Sequence, residues 1–233
     1  MPPSTAVPST APTSYAVSDT ALAAPIRSAA LELLGTIGQQ SSAPLIERIA
    51  DDPDPDIRQA ALGAIGQIAP DRATIAWGRA ALDRSADWEL RLSAIQSLGQ
   101  NLSESTAHQL AQCALDTRLP LFVRLYAIGA LGRQAPGHAE LHLLLGRSEL
   151  SQVGRAAVAR ALGAAGYEPA LRDLVRLVET AATSRVLLEA CCDALGALRK
   201  PEATEPLLAL LERAYQDPAL TRAALRALGQ IGD

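Results

Sequence analysis

Seven copies of one short signature, Ala/Leu-Leu/Ile-Gly, govern what this chain can fold into. They stand at Leu33-Leu34-Gly35, Ala64-Ile65-Gly66, Ser97-Leu98-Gly99, Ala130-Leu131-Gly132, Ala161-Leu162-Gly163, Ala194-Leu195-Gly196 and Ala227-Leu228-Gly229, with glycines 31, 33, 33, 31, 33 and 33 residues apart. A period of that length holds two helices of about twelve residues and two turns, so each unit predicts a helical hairpin. One copy shows the punctuation in full. A first helix spans 43–50, Asp51-Asp52-Pro53 breaks it, Asp54 is placed to cap the next helix with Pro55 at its first position, and that second helix runs towards Pro70.

Counting back from the signature glycine, positions −9, −5, −4 and −1 are apolar almost throughout, as at Ile57, Ala61, Leu62 and Ile65. That is the stripe of a helix buried on one side. A glycine inside a helix costs about 1 kcal/mol against alanine. Its recurrence predicts that a neighbouring helix crosses there too closely for a side chain. Arginine holds position −8 in the first five copies (Arg27, Arg58, Arg91, Arg124 and Arg155), while Leu188 and Thr221 hold it in the last two.

Composition agrees with an all-α fold: Ala and Leu dominate, aromatics are 3%, and the hydrophobic fraction of 48% is ample for a core. With 21 basic against 25 acidic residues the net charge is −4, which argues against a nucleic-acid partner. Lys200 is the single lysine, so the cationic surface is almost wholly arginine, suited to fixed contacts with carboxylates. Three cysteines, two of them adjacent, imply no disulfide framework. The N-terminal sequence has neither a basic start nor the apolar run of a secretory signal, and no stretch has the length of a membrane span. A cytoplasmic location is therefore expected.

The run DPDPDIRQAALGAIGQIAPD, with one extra Asp before it, resembles the HEAT-like repeats of E/F-type phycobilin lyases, a family that includes chromophore-detaching relatives. The resemblance spans roughly residues 21–233 and implies a right-handed α-solenoid of about six to seven hairpins. Residues 1–20, rich in Pro, Ser, Thr and Ala, read by composition as a leader that serves as a tail or clasp. The resemblance further implies that the arginines pair with acidic groups as a ladder along the stack. A phycobiliprotein subunit would be the partner and a bilin of phycocyanobilin type the substrate, with no intrinsic cofactor. The first signature helix, 23–38, is expected to lack an ordinary first-helix partner, an exposed end being covered by another subunit or by a fold-back of the leader, and the face after the seventh signature to dock a second HEAT-like subunit.

In such stacks the second helices line the concave side, and positions −10, −7 and −3 share the face turned from the core. The candidates there are Gln59, Leu92, Gln96, Phe122, Leu125, Arg160, Glu189, Asp193, Arg222 and Arg226. They divide into an apolar centre around Leu92, Phe122 and Leu125 and alternating charged steps from Arg160 to Arg226. Trp77 and Tyr126 either extend that apolar centre or fill gaps between layers. His138 and His142 are spaced to share a helix face, but no third ligand accompanies them, so they read more simply as surface residues than as a metal site. HEAT-like deoxyhypusine hydroxylases resemble this fold too, yet carry repeated His-Glu dipeptides for di-iron, of which this sequence has none. Cys191 and Cys192 fall on core positions and read as small hydrophobes. No general acid or nucleophile is recognisable. Two readings of different class follow: a phycobilin lyase or chromophore-detaching relative, or a non-catalytic HEAT-repeat scaffold for another protein.

Overall fold

A computed structural model describes residues 11–20, 22–100, 103–133, 135–180 and 183–232. Among these are fourteen α-helices and no strand. They divide into two compact units, Met1–Leu98 and Gly99–Asp233. The first holds α1 (Ala11–Ser18), α2 (Ala24–Ile37), α3 (Ala43–Ile49), α4 (Pro55–Ile68), α5 (Pro70–Leu82) and α6 (Trp88–Leu98). The second holds α7 (Glu104–Leu115), α8 (Leu121–Gly132), α9 (His138–Leu145), α10 (Gln152–Ala164), α11 (Leu171–Glu179), α12 (Arg185–Leu198), α13 (Thr204–Arg213) and α14 (Pro218–Gly232). Each even-numbered helix carries one signature, so three hairpins build the first unit and four the second.

Local chemistry sets the helix ends. Asp54 accepts from the backbone amides of Asp56 (2.9 Å) and Ile57 (3.5 Å), and Pro55 opens α4 as expected. Ser103 and Thr106 form a reciprocal capping box at α7. Gly38 closes α2 in the left-handed region at φ 72, where a β-carbon would be strained. Inside each unit the predicted stripe is the core: Ile57, Ala61 and Ile65 are wholly buried and Leu62 nearly so. Neighbouring second helices pack directly on one another, α2 on α4 in the first unit and α8, α10, α12 and α14 in sequence in the second.

Four signature glycines, Gly35, Gly132, Gly163 and Gly196, sit at these crossings, whereas a β-carbon on Gly229 would meet nothing within 4 Å. A β-carbon on Gly35 would lie 3.2 Å from the Ala64 Cα, one on Gly132 would lie 3.0 Å from the Ala161 Cβ, and one on Gly163 would lie 2.7 Å from the Ala194 Cβ. Each of those alanines is the first residue of the next signature. The motif thus pairs its own two small residues, the glycine of one copy against the alanine of the next. At Gly66 the Trp77 ring fills the space instead, its Nε1 donating to the Leu62 carbonyl at 3.2 Å. Trp77 is therefore a gap filler, 6% exposed, whereas Tyr126 lies at the surface with the Arg133 guanidinium 5.6 Å over its ring.

The leader folds back to give the first signature helix a partner. Residues 11–18 of the leader form α1, which packs beside α2 and buries Val17 completely; residues 1–10 lie outside the described residues. Arg27 ties the two helices together, its Nε donating to the Val17 carbonyl at 3.2 Å.

That bond recurs. Arg91 Nε donates to the Ala81 carbonyl at 2.9 Å and Arg155 Nε to the Leu145 carbonyl at 3.0 Å, in each case ten residues back, at the end of the preceding first helix. In these three copies the register arginine is a C-terminal cap laid across its own hairpin, satisfying carbonyls the helix leaves open and placing positive charge at the negative end of its dipole, whereas Arg58 donates through Nη1 to the Asp52 and Pro53 carbonyls at 2.7 and 3.0 Å. Ladder pairing is present alongside it: Arg27 also meets Asp52 of the next repeat at 2.5 Å, with both side chains 9% exposed. Burial opposes ionisation of Asp52, but hydrogen bonds from Arg27 and the Asp54 amide, together with the charges of Arg27 and Arg58, outweigh it and hold the carboxyl below its ordinary value. Where Leu188 replaces the arginine, the carbonyl ten residues back belongs to Val178, and Arg213 of α13 takes it along with that of Glu179 (2.9 Å to the latter).

Candidate functional site

The second helices turn the sequence-chosen positions away from the core. In the first unit Gln59 on α4 and Gln96 on α6 are exposed, while Leu92 is half-buried. An open groove of about 400 Å3 runs between α2 and α4, lined by Ser28, Glu32, Asp56, Gln59, Gly63 and Gln67. Its chemistry is polar and acidic.

The second unit differs. Phe122 on α8 is 52% exposed and Leu125 half-buried; with Tyr126 and Gly129 they form one stripe at i, i+3, i+4 and i+7, opposite the buried Val123, Ala127, Ile128 and Leu131. The same −10 register that exposes Phe122 exposes Val153 on α10 and Val186 on α12, each 44% accessible. An apolar row therefore crosses three successive second helices. Sequence reading reached Phe122 and missed the two valines, along with Leu121 (40% exposed), although the −10 spacing was sufficient to find the valines.

The charged steps prove to be bonded to one another. Asp193 on α12 receives Arg160 of α10 through one carboxylate oxygen (3.4 Å) and Arg226 of α14 through the other (3.3 Å). Glu189 meets Arg185 at 2.9 Å, and Arg185 also reaches Asp217 at 3.2 Å. Arg160, Glu189, Asp193 and Arg226 are thus tied to an adjacent repeat or along one helix turn, and Arg222 stands exposed beside them on α14. Exposed pairs of this kind contribute little energy each. Their effect is to fix the side chains at the −3 position in one arrangement.

The histidines take separate partners. His142 Nε2 donates to Asp173 Oδ2 on α11 at 2.7 Å, His138 Nε2 lies 3.3 Å from the Gly132 carbonyl, and both rings meet Tyr167 edge-on at 5.8 Å. No group of three or more His, Cys, Asp or Glu side chains placed to hold a metal occurs among the described residues. Cys113, Cys191 and Cys192 are fully buried, and burial, with the neighbouring thiol and carboxylates adding to it, pushes Cys191 and Cys192 up to about 12. A thiol so placed is not a nucleophile at neutral pH. No described helix is long and apolar enough to cross a membrane.

Residues 20–76 match the family model for HEAT repeats. No curated protein matches the chain. Among solved structures, the CpcE–CpcF complex of phycocyanin lyase from Nostoc sp. PCC7120 is 18% identical, with a TM-score of 0.48 over 100% of this chain and 97% of that one. Human deoxyhypusine hydroxylase in complex with glycerol is 19% identical, with a TM-score of 0.46 over 96% of each chain. The chain is an all-α array of helical hairpins, and residues 20–76 of it are similar to HEAT repeats.

Proposed function

We propose that this protein is a binding module that grips an α-helical partner across the second helices of its second unit. One observation carries the reading: the exposed apolar row Phe122, Val153 and Val186, set at one register on three neighbouring helices. Packed helices lie about 8–10 Å apart, and residues seven apart on a helix are separated by about 10.5 Å. A partner helix laid across the row would meet it with apolar residues at i, i+7 and i+14, while the tied Arg160, Asp193 and Arg226 side chains set its register. The resemblance of residues 52–71 to the repeats of phycobilin lyases names a candidate partner, a phycobiliprotein subunit, with the module assisting attachment, transfer or detachment of its bilin. A plain scaffold for another protein uses the same surface without that chemistry.

Two measurements separate these possibilities. A photo-crosslinking residue at position 122 or 153 should capture the partner in the native host, and one at Ile75, exposed on the first helix α5, should not. Equal capture from all three positions overturns the assignment of the face. Mixing the purified protein with a phycobiliprotein subunit and phycocyanobilin should then give a complex and a change in visible absorption. Absence of both removes the pigment reading and leaves the scaffold.

A further inference from the structure

A second site of different chemistry lies among the first helices of the same unit. An open cleft of about 420 Å3, bounded by α9, the start of the α9–α10 turn, α10 and α11, has walls of Leu143, Leu145 and Leu177. That volume falls in the range that accepts small organic ligands. His142, Asp173, Arg155 and Arg176 enter from the sides. Their positions are fixed by contacts already made: Arg155 is anchored through Nε on the Leu145 carbonyl, His142 is held between Asp173 at 2.7 Å and the Tyr167 ring, and Arg176 leans on Asp173 at 3.5 Å.

The charge balance decides what fits. Two guanidinium groups face one carboxylate, and that carboxylate is occupied by His142 and Arg176. A cation would meet an excess of its own sign. A neutral apolar molecule would leave the half-buried Arg155 partly desolvated without compensation. An anion attached to an apolar body satisfies both parts, because a carboxylate matches the planar guanidinium fork and its hydrocarbon covers the leucine walls.

We infer that this cleft binds a small apolar carboxylate, independently of the protein-binding face. The test uses octanoate as the probe and the imidazole proton resonances of the full chain as the readout, with His142 in the cleft and His108, on α7, as the internal control. Octanoate at millimolar concentration should shift the His142 resonance in a saturable way and leave His108 unmoved. Octan-1-ol and acetate should each bind at least about tenfold more weakly, one lacking the charge and the other the apolar body. Leu143→Asp should abolish the response; that side chain is 67% exposed, so the substitution spares the fold. Arg176→Gln should weaken binding several-fold, and Arg155→Lys should do so with the helical circular dichroism unchanged. No saturable His142 shift with octanoate, an equal response to octan-1-ol, or an undiminished response in Leu143→Asp overturns the inference.

Discussion

Glycine to alanine at two helical positions should change stability in opposite directions, although helix propensity alone makes both substitutions favourable by about 1 kcal/mol. Gly129 sits in α8 with nothing within 4 Å of where its β-carbon would stand, so Gly129→Ala should keep that gain, about 0.5–1 kcal/mol. Gly163 sits where α10 crosses α12, and its β-carbon would lie 2.7 Å from the Ala194 Cβ and 3.1 Å from the Ala194 carbonyl oxygen. Ordinary carbon contacts are about 3.5–4.0 Å. The obstacle is backbone, which cannot rotate away, so the two helices must separate by roughly 1 Å along an extensively packed face. Overpacking of this kind costs about 1–3 kcal/mol, and obstruction by backbone places Gly163→Ala near the upper end. Subtracting the propensity gain leaves a net loss of about 2 kcal/mol. For a chain of this size each kcal/mol moves the midpoint by about 2–4 °C. Thermal unfolding followed by far-ultraviolet circular dichroism should therefore show Gly163→Ala lower by about 4–8 °C and Gly129→Ala raised by about 1–4 °C. Shifts of the same sign for the two variants would refute the close-crossing account of the signature.

Arg213→Ala should destabilise the second unit by about 1–2 kcal/mol by opening the Val178 and Glu179 carbonyls, and adding Leu188→Arg should recover most of that loss in urea unfolding, since an arginine there regains the usual carbonyl ten residues back. The buried thiols should resist Ellman's reagent at pH 8 in the folded protein and react once urea is added. Their folded values are raised from 9.0 to about 12, so their contribution to stability is complete below pH 9 and is lost as pH climbs from there through about 12, which alkaline unfolding of a Cys191→Ala/Cys192→Ala variant should flatten. Asp193→Asn breaks two exposed ion pairs at once and should cost less than about 1 kcal/mol, while loosening the partner's register should show as faster dissociation of the bound partner.

Much of this protein is legible in its sequence because the deciding forces act within one hairpin. Asp54 caps α4 from three residues' distance, the −9, −5, −4 and −1 positions bury themselves by the helical period alone, and the cost of placing glycine repeatedly in a helix is by itself a sign of a close crossing. Contacts between repeats are different, since side chains about 31–33 residues apart meet only once helix separation and rotation are set. Sequence shows Arg160, Asp193 and Arg226 as alternating charges; tertiary packing makes them a closed set of ion pairs. It shows an arginine eight residues before each early glycine; packing aims Arg27, Arg91 and Arg155 at a carbonyl ten residues back and recruits Arg213 where Leu188 stands in that place. The leader's composition conceals α1, because eight residues of low helical bias are held by burial of Val17 and the Arg27 cap rather than by propensity. Sequence determined the repeat and its core; tertiary structure alone decided which polar groups satisfy one another and which apolar side chains remain at the surface, because both depend on how neighbouring helices are spaced and rotated.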